Sequence, residues 1–134
     1  MRILIVDDHE IVRRGVRQIL AAENWEICGE AQNGRVAVEK VRALEPDVVV
    51  LDVSMPVMNG HEAASAIKRI SPSTKIVFLT MHDARAMAAI MKTTGVDACV
   101  TKSETAERLV SVLKHLFPVN HGTHLKMKSE SRRL

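Results

Sequence analysis

Val48-Val49-Val50-Leu51 sets four aliphatic side chains in a row with no polar residue between them. Successive side chains of a strand point to opposite faces, so a strand made of this run is apolar on both sides and belongs in the centre of a sheet. That setting exists where helices cover both faces of a parallel sheet. The rest of the chain supplies the neighbours. Ile3-Leu4-Ile5-Val6, Glu26 to Ala31, Lys75 to Thr80 and Ala98 to Thr101 read as further short strands, each followed by a segment of helical period. The expectation is an α/β protein of five βα units.

Punctuation supports the division. Asn33-Gly34 turns the chain into the second helix, Pro46 ends it, Asn59-Gly60 opens the third, Pro72 follows it, and Gly95 stands where the fourth needs a C-terminal cap. Inward positions follow from the spacing. They are Ile11/Val12, Gly15/Val16 and Ile19/Leu20 in the first helix, then Ala37, Val38, Val41 and Leu44. The third presents Ala63, Ala64, Ile67 and Ile70, the fourth Met87, Ile90 and Met91. The last presents Ala106, Leu109, Val110, Leu113, Leu116 and Phe117, and Pro118 closes it.

With 134 residues, 46% of them hydrophobic, the chain has room for one domain, expected over residues 1–118. Residues 119–134 lack apolar period and hold Lys126, Lys128, Arg132 and Arg133 against Glu130, so they read as a basic, disordered tail or truncated linker. The formal charge of +3 therefore belongs to the tail, and the neutral body argues against a specific nucleic-acid-binding face. No apolar run approaches the ~20 residues of a membrane span. The first residues turn acidic at Asp7 and Asp8 too soon for a signal peptide, so a cytoplasmic protein is expected. Cys28 and Cys99 match no metal spacing and read as buried, reduced thiols.

In an open parallel sheet, ligands bind beyond the carboxyl ends of the strands. The first strand ends in Asp7-Asp8, the third in Asp52, the fourth in Thr80, and the fifth is followed by Lys102. Three carboxylates on one rim repel unless a cation lies among them. Mg²⁺, which takes oxygen ligands and commonly combines one or two carboxylates with a phosphate, suits Asp7, Asp8 and Asp52. Lys102 and Thr80 offer a positive charge and a hydroxyl to phosphoryl oxygens. Taken singly, Asp8 also reads as a helix cap, Thr80 as a plain strand residue and Lys102 as a solvated lysine. Taken together, those readings require five polar groups to meet on one rim by accident.

The chain resembles the receiver domains of response regulators over about residues 2–117. The stretches that carry the likeness are Ile3 to His9, Asp47 to Gly60, Leu79-Thr80 and Lys102. Leu79 to Asp83, and Ser103 after the lysine, are similar to the branch whose members usually carry a LuxR-type helix-turn-helix. The resemblance implies a doubly wound, flavodoxin-like sheet of strand order 2-1-3-4-5. It implies that Asp52 takes a phosphoryl group from the phosphohistidine of a sensor histidine kinase or phosphotransfer protein. Asp8, Asp52 and the backbone carbonyl of Ser54 would hold Mg²⁺, with Asp7 acting mainly through water, while Thr80 and Lys102 bind the phosphoryl oxygens. Output would follow from a conformational change or from phosphorylation-dependent homodimerisation.

One departure stands out. The family's switch aromatic lies three residues before the lysine, where this chain has Cys99. Met81 and His82, just after Thr80, are the other positions expected to modulate the site. A flavodoxin would need a Ser/Thr/Gly-rich loop and aromatics, and a dehalogenase-type phosphatase an Asp-x-Asp at the first strand; neither pattern is here. The remaining alternative is a docking module that keeps the fold and ignores phosphate.

Overall fold

The computed structural model describes residues 1–55 and 57–118; the expected tail lies outside the described residues. In chain order the elements are β1 (Arg2–Val6), α1 (Glu10–Leu20), β2 (Glu26–Ala31), α2 (Gly34–Leu44) and β3 (Val48–Asp52). They continue with α3 (Gly60–Ile70), β4 (Lys75–Thr80), α4 (Ala84–Thr94), β5 (Ala98–Thr101), a 3-10 turn (Lys102–Glu104) and α5 (Thr105–Leu116). All pairings are parallel and the strand order is 2-1-3-4-5, as expected.

Both faces of β3 are buried, and the alternation divides the interior in two. Val49 and Leu51 join Leu4, Ile76 and Phe78 in the core beneath α2, α3 and α4. Val48 and Val50 join Ile3, Ile5, Val77 and Leu79 in the core beneath α1 and α5. With ~25 cal/mol per Å² of apolar surface removed from water, these two layers dominate the favourable side of folding.

Caps fix where the helices begin, and hence where the loops over the sheet's carboxyl edge run. Asn59 and Glu62 form a reciprocal capping box at α3, Asn33 accepts from Val36 N at α2, and Asp83 accepts from Ala86 N at α4. Gly95 ends α4 at φ 76°, a backbone conformation glycine adopts without strain. A Cβ on Gly60 would lie 2.6 Å from Asp52 O and 2.6 Å from Val53 Cα. The start of α3 is thus pressed against the end of β3.

Two inward assignments need correction. Ile11 is 80% exposed, because α1 starts at Glu10 and its buried stripe is Val16 and Leu20, with Val12 and Ile19 half-buried. Ala106 is exposed too; it lies in the first turn of α5, ahead of Leu109 and Leu113, which reach the sheet. Cys28 and Cys99 are free and half-buried. Cys28 has a local role that its spacing did not suggest. The β1–β2 register slips there, Ile3 pairing with Ile27 and Leu4 with Gly29, and the Cys28 thiol donates to Ile3 O at 3.4 Å.

Candidate functional site

Five polar residues stand at the carboxyl edge of the sheet, and the register brings them level. Asp52 pairs with Leu79 and Thr80 with Thr101, so Thr80 and Lys102 each lie just past the Asp52 row. Asp7, Asp52 and Thr80 are buried, with Asp52 only 2% exposed. Lys102 Nζ stands 3.2 Å from Asp7 Oδ2 and 3.2 Å from Asp52 Oδ1. The lysine is therefore paired across the sheet, and the solvated reading of it is excluded.

Asp8 does not cap α1. The N-cap position belongs to His9, which makes no side-chain cap bond, whereas Asp8 Oδ1 is buried and without a hydrogen-bond partner. Asp52 Oδ2 is likewise buried and unpartnered, while Asp52 Oδ1 accepts from Ser54 N at 3.2 Å. Orphaned buried oxygens are costly, so a pair of them aimed at one place marks where a cation belongs. Ligand atoms of Asp7, Asp8, His9 and Asp52 all lie within 4.8 Å of one another. The donor set of three carboxylates fits a hard divalent ion such as Mg²⁺.

Burial first, and then the charge of Asp7, pushes the Asp52 carboxyl above the ordinary carboxylate range; Lys102 and the Ser54 N–H offset part of the rise. For Lys102, burial works to lower the pKa, but Asp52 and Asp7 together outweigh it and hold the ammonium above its usual value. The site is a low-dielectric cradle whose lysine stays charged.

The modulating positions fall in different settings. Met81 is 80% exposed at the end of β4. His82 is exposed, its backbone N–H donating to Thr80 Oγ1 at 3.0 Å, and it borders an open cavity of about 570 Å³ with Ser54, Asn59, His61 and Met87. Cys99 pairs with Phe78 and packs half-buried against the α2–α4 core; burial raises its thiol despite Arg108, so it remains protonated. Three residues escaped sequence reasoning. His9 closes over the carboxylates. Arg13 donates to Asp7 O at 2.7 Å while pairing with Glu30 at 3.0 Å, holding the end of β1. His61 lies 5.9 Å from the Phe78 ring with its Nε2 buried and unpartnered. The run Asp7-Asp8-His9 was a legible ligand sequence; Arg13 and His61 had no local signal.

Fold and site together define a doubly wound, flavodoxin-like α/β protein with an acidic, lysine-bridged site at the carboxyl edge of its sheet. Residues 3–114 match the response regulator receiver domain, and the chain belongs to that family of two-component signalling proteins. It is 38% identical over 112 residues to the chemotaxis protein CheY of Thermotoga maritima, covering 84% of this chain and 93% of that one. It is 35% identical over 118 residues to the response regulator UvrY of Escherichia coli K12, covering 87% of this chain and 54% of UvrY. The chain thus spans nearly all of that CheY but about half of UvrY. A LuxR-family two-component response regulator from Aurantimonas sp. SI85-9A1 superposes with a TM-score of 0.80 at 33% identity, covering 86% of this chain and 83% of that one. Among the described residues, no helix is long and apolar enough to cross a membrane.

Proposed function

We propose that this receiver accepts a phosphoryl group on Asp52 from the phosphohistidine of a sensor histidine kinase or phosphotransfer protein, in the cytoplasm and with Mg²⁺. The observation that carries the reading is the pair of 3.2 Å contacts from Lys102 to Asp52 and Asp7 beside an unpartnered Asp52 Oδ2. One oxygen of Asp52 is held by Lys102 and the Ser54 N–H and the other faces the acidic cluster, so the carboxylate is oriented for its proposed role as nucleophile.

Asp8, Asp52 and the Ser54 carbonyl would hold the ion, with Asp7 in its outer shell. When bound, Mg²⁺ supplies the charge that offsets the carboxylates and the incoming phosphoryl oxygens. A carboxylate oxygen of Asp52 attacks phosphorus, the bond from phosphorus to the donor imidazole nitrogen breaks, and the electron pair leaves on that nitrogen. Lys102 follows the charge from carboxylate to phosphoryl oxygen, and the Thr80 hydroxyl donates to another. The protein is a phosphoacceptor that promotes its own phosphorylation and dephosphorylation, with no separate substrate to turn over. Loss of a Lys102–Asp52 contact and movement of Thr80 would carry the change outward, as a conformational shift or as homodimerisation.

Cys99 favours the phosphate-independent docking reading, because a small thiol cannot pack on Thr80 as a ring does. The intact Asp7–Lys102–Asp52 bridge weighs against it. Incubation with Mg²⁺ and acetyl phosphate or phosphoramidate decides the matter by intact mass. One added phosphoryl group on the wild type and none on Asp52→Asn is the expected result. An unlabelled wild type would return the docking reading, and a fully labelled Asp52→Asn would move the acceptor to another residue.

A further inference from the structure

His9 is the N-cap of α1, at φ −107° and ψ 120°, so its side chain leaves the chain before the helix begins. Its backbone N–H donates to Asp7 Oδ1 at 2.9 Å, a turn that folds the imidazole back over the acids. Nδ1 then lies 3.2 Å from Asp7 Oδ1 and 3.0 Å from Asp8 Oδ1. The second contact is not a hydrogen bond, since Asp8 Oδ1 has no such partner. Nδ1 hydrogen-bonds Asp7 Oδ1, while the Asp8 oxygen beside it is unpartnered, as is the Oδ2 of Asp52, a residue 2% exposed.

We infer that His9 Nδ1 is a metal ligand, which makes this a mixed nitrogen–oxygen site that prefers a first-row transition divalent ion, Mn²⁺ among them, over Mg²⁺. The inference rests on the acidic metal site proposed above. Mg²⁺ seeks oxygen and keeps its waters, so an added imidazole contributes little to it. Imidazole nitrogen bonds more strongly to the transition ions, and carboxylate with imidazole is a donor set they accept. On metal binding the hydrogen bond from Nδ1 to Asp7 Oδ1 would give way, and the neutral ring, its proton exchanged through solvent to Nε2, would present the Nδ1 lone pair to the ion. Most of the ring is accessible, with 67% of the side chain exposed, so the ligand can adjust when the ion enters.

The test reads the metal itself. Mn²⁺ and Mg²⁺ are titrated into wild type and His9→Ala by calorimetry, and the Mn²⁺ complexes are examined by electron spin-echo spectroscopy for ¹⁴N coupling. Wild type should show directly bound nitrogen, and His9→Ala should not. The preference for Mn²⁺ over Mg²⁺ should fall in the variant by at least the 10- to 100-fold, in order of magnitude, that loss of a mere outer partner of a ligand costs. Thermal melting of His9→Ala without metal checks that the fold is retained, as an exposed N-cap without a cap bond predicts. Mn²⁺ binding without ¹⁴N coupling, or with the same preference in the variant, overturns the role of His9 and leaves the acidic site standing. Absence of binding by either ion overturns both.

Discussion

Lys102 Nζ stands 3.2 Å from Asp52 Oδ1, and the same ammonium is 3.2 Å from Asp7 Oδ2, so one cation holds two buried carboxylates from different strands. Removing it leaves both acids buried with less compensation, and deleting the partner of a buried polar group costs ~1–3 kcal/mol. Lys102→Ala should therefore lower unfolding stability by about 1–3 kcal/mol at neutral pH without metal, measured by urea titration. Labelling by small donors should slow as well, because transition-state charge loses its partner. A variant as stable and as fast as wild type would refute the bridge.

Asp52→Asn should do the opposite to stability. The Asp52 carboxyl is held above its ordinary range, by burial first and Asp7 second, so the folded state disfavours its charged form. That cost is absent below the unfolded-state pKa, grows as pH rises toward the folded value, and is complete above it. Without metal, Asp52→Asn should melt higher than wild type at pH 7, and the gap should close near pH ~4. Mg²⁺ should reverse the order, since an ion at a hundredfold its Kd stabilises only the protein that binds it, by ~2.7 kcal/mol. Melting curves across pH, with and without Mg²⁺, check both signs.

Gly60→Ala tests the seat of α3. The new methyl would meet Asp52 O and Val53 Cα at 2.6 Å, backbone that cannot rotate away. Displacing the helix start costs ~1–3 kcal/mol, the usual range for overpacking, and shifts the end of β3. Stability and Asp52 labelling should fall together; normal stability with normal labelling would mean the contact relaxes freely.

Met81→Ala separates access from packing. A side chain 80% exposed contributes little to the core, so stability should change by less than ~0.5 kcal/mol. Its truncation should open the path of water to the aspartyl phosphate, so that phosphorylation by small donors and phosphoryl loss both quicken several-fold, with Lys102 and Thr80 in place. An unchanged phosphoryl lifetime would deny Met81 any gating role.

Every strand, the five βα units and the polar strand ends were legible in the sequence, because each is a local pattern. Val48 to Leu51 can be buried on two faces only in a covered sheet, and Asn59-Gly60 and Gly95 write their turns in the residues themselves. Where side chains converge is not a local property. Lys102 and Asp7 are 95 positions apart, and parallel pairing of four strands is what brings them to 3.2 Å. The same holds for Arg13 on the end of β1, for His61 against Phe78, and for the unpartnered oxygens of Asp8 and Asp52. Ile11 and Ala106 were misplaced for a related reason: a helical stripe gives the direction a residue faces, but only the packed structure decides whether the sheet still lies beneath that turn.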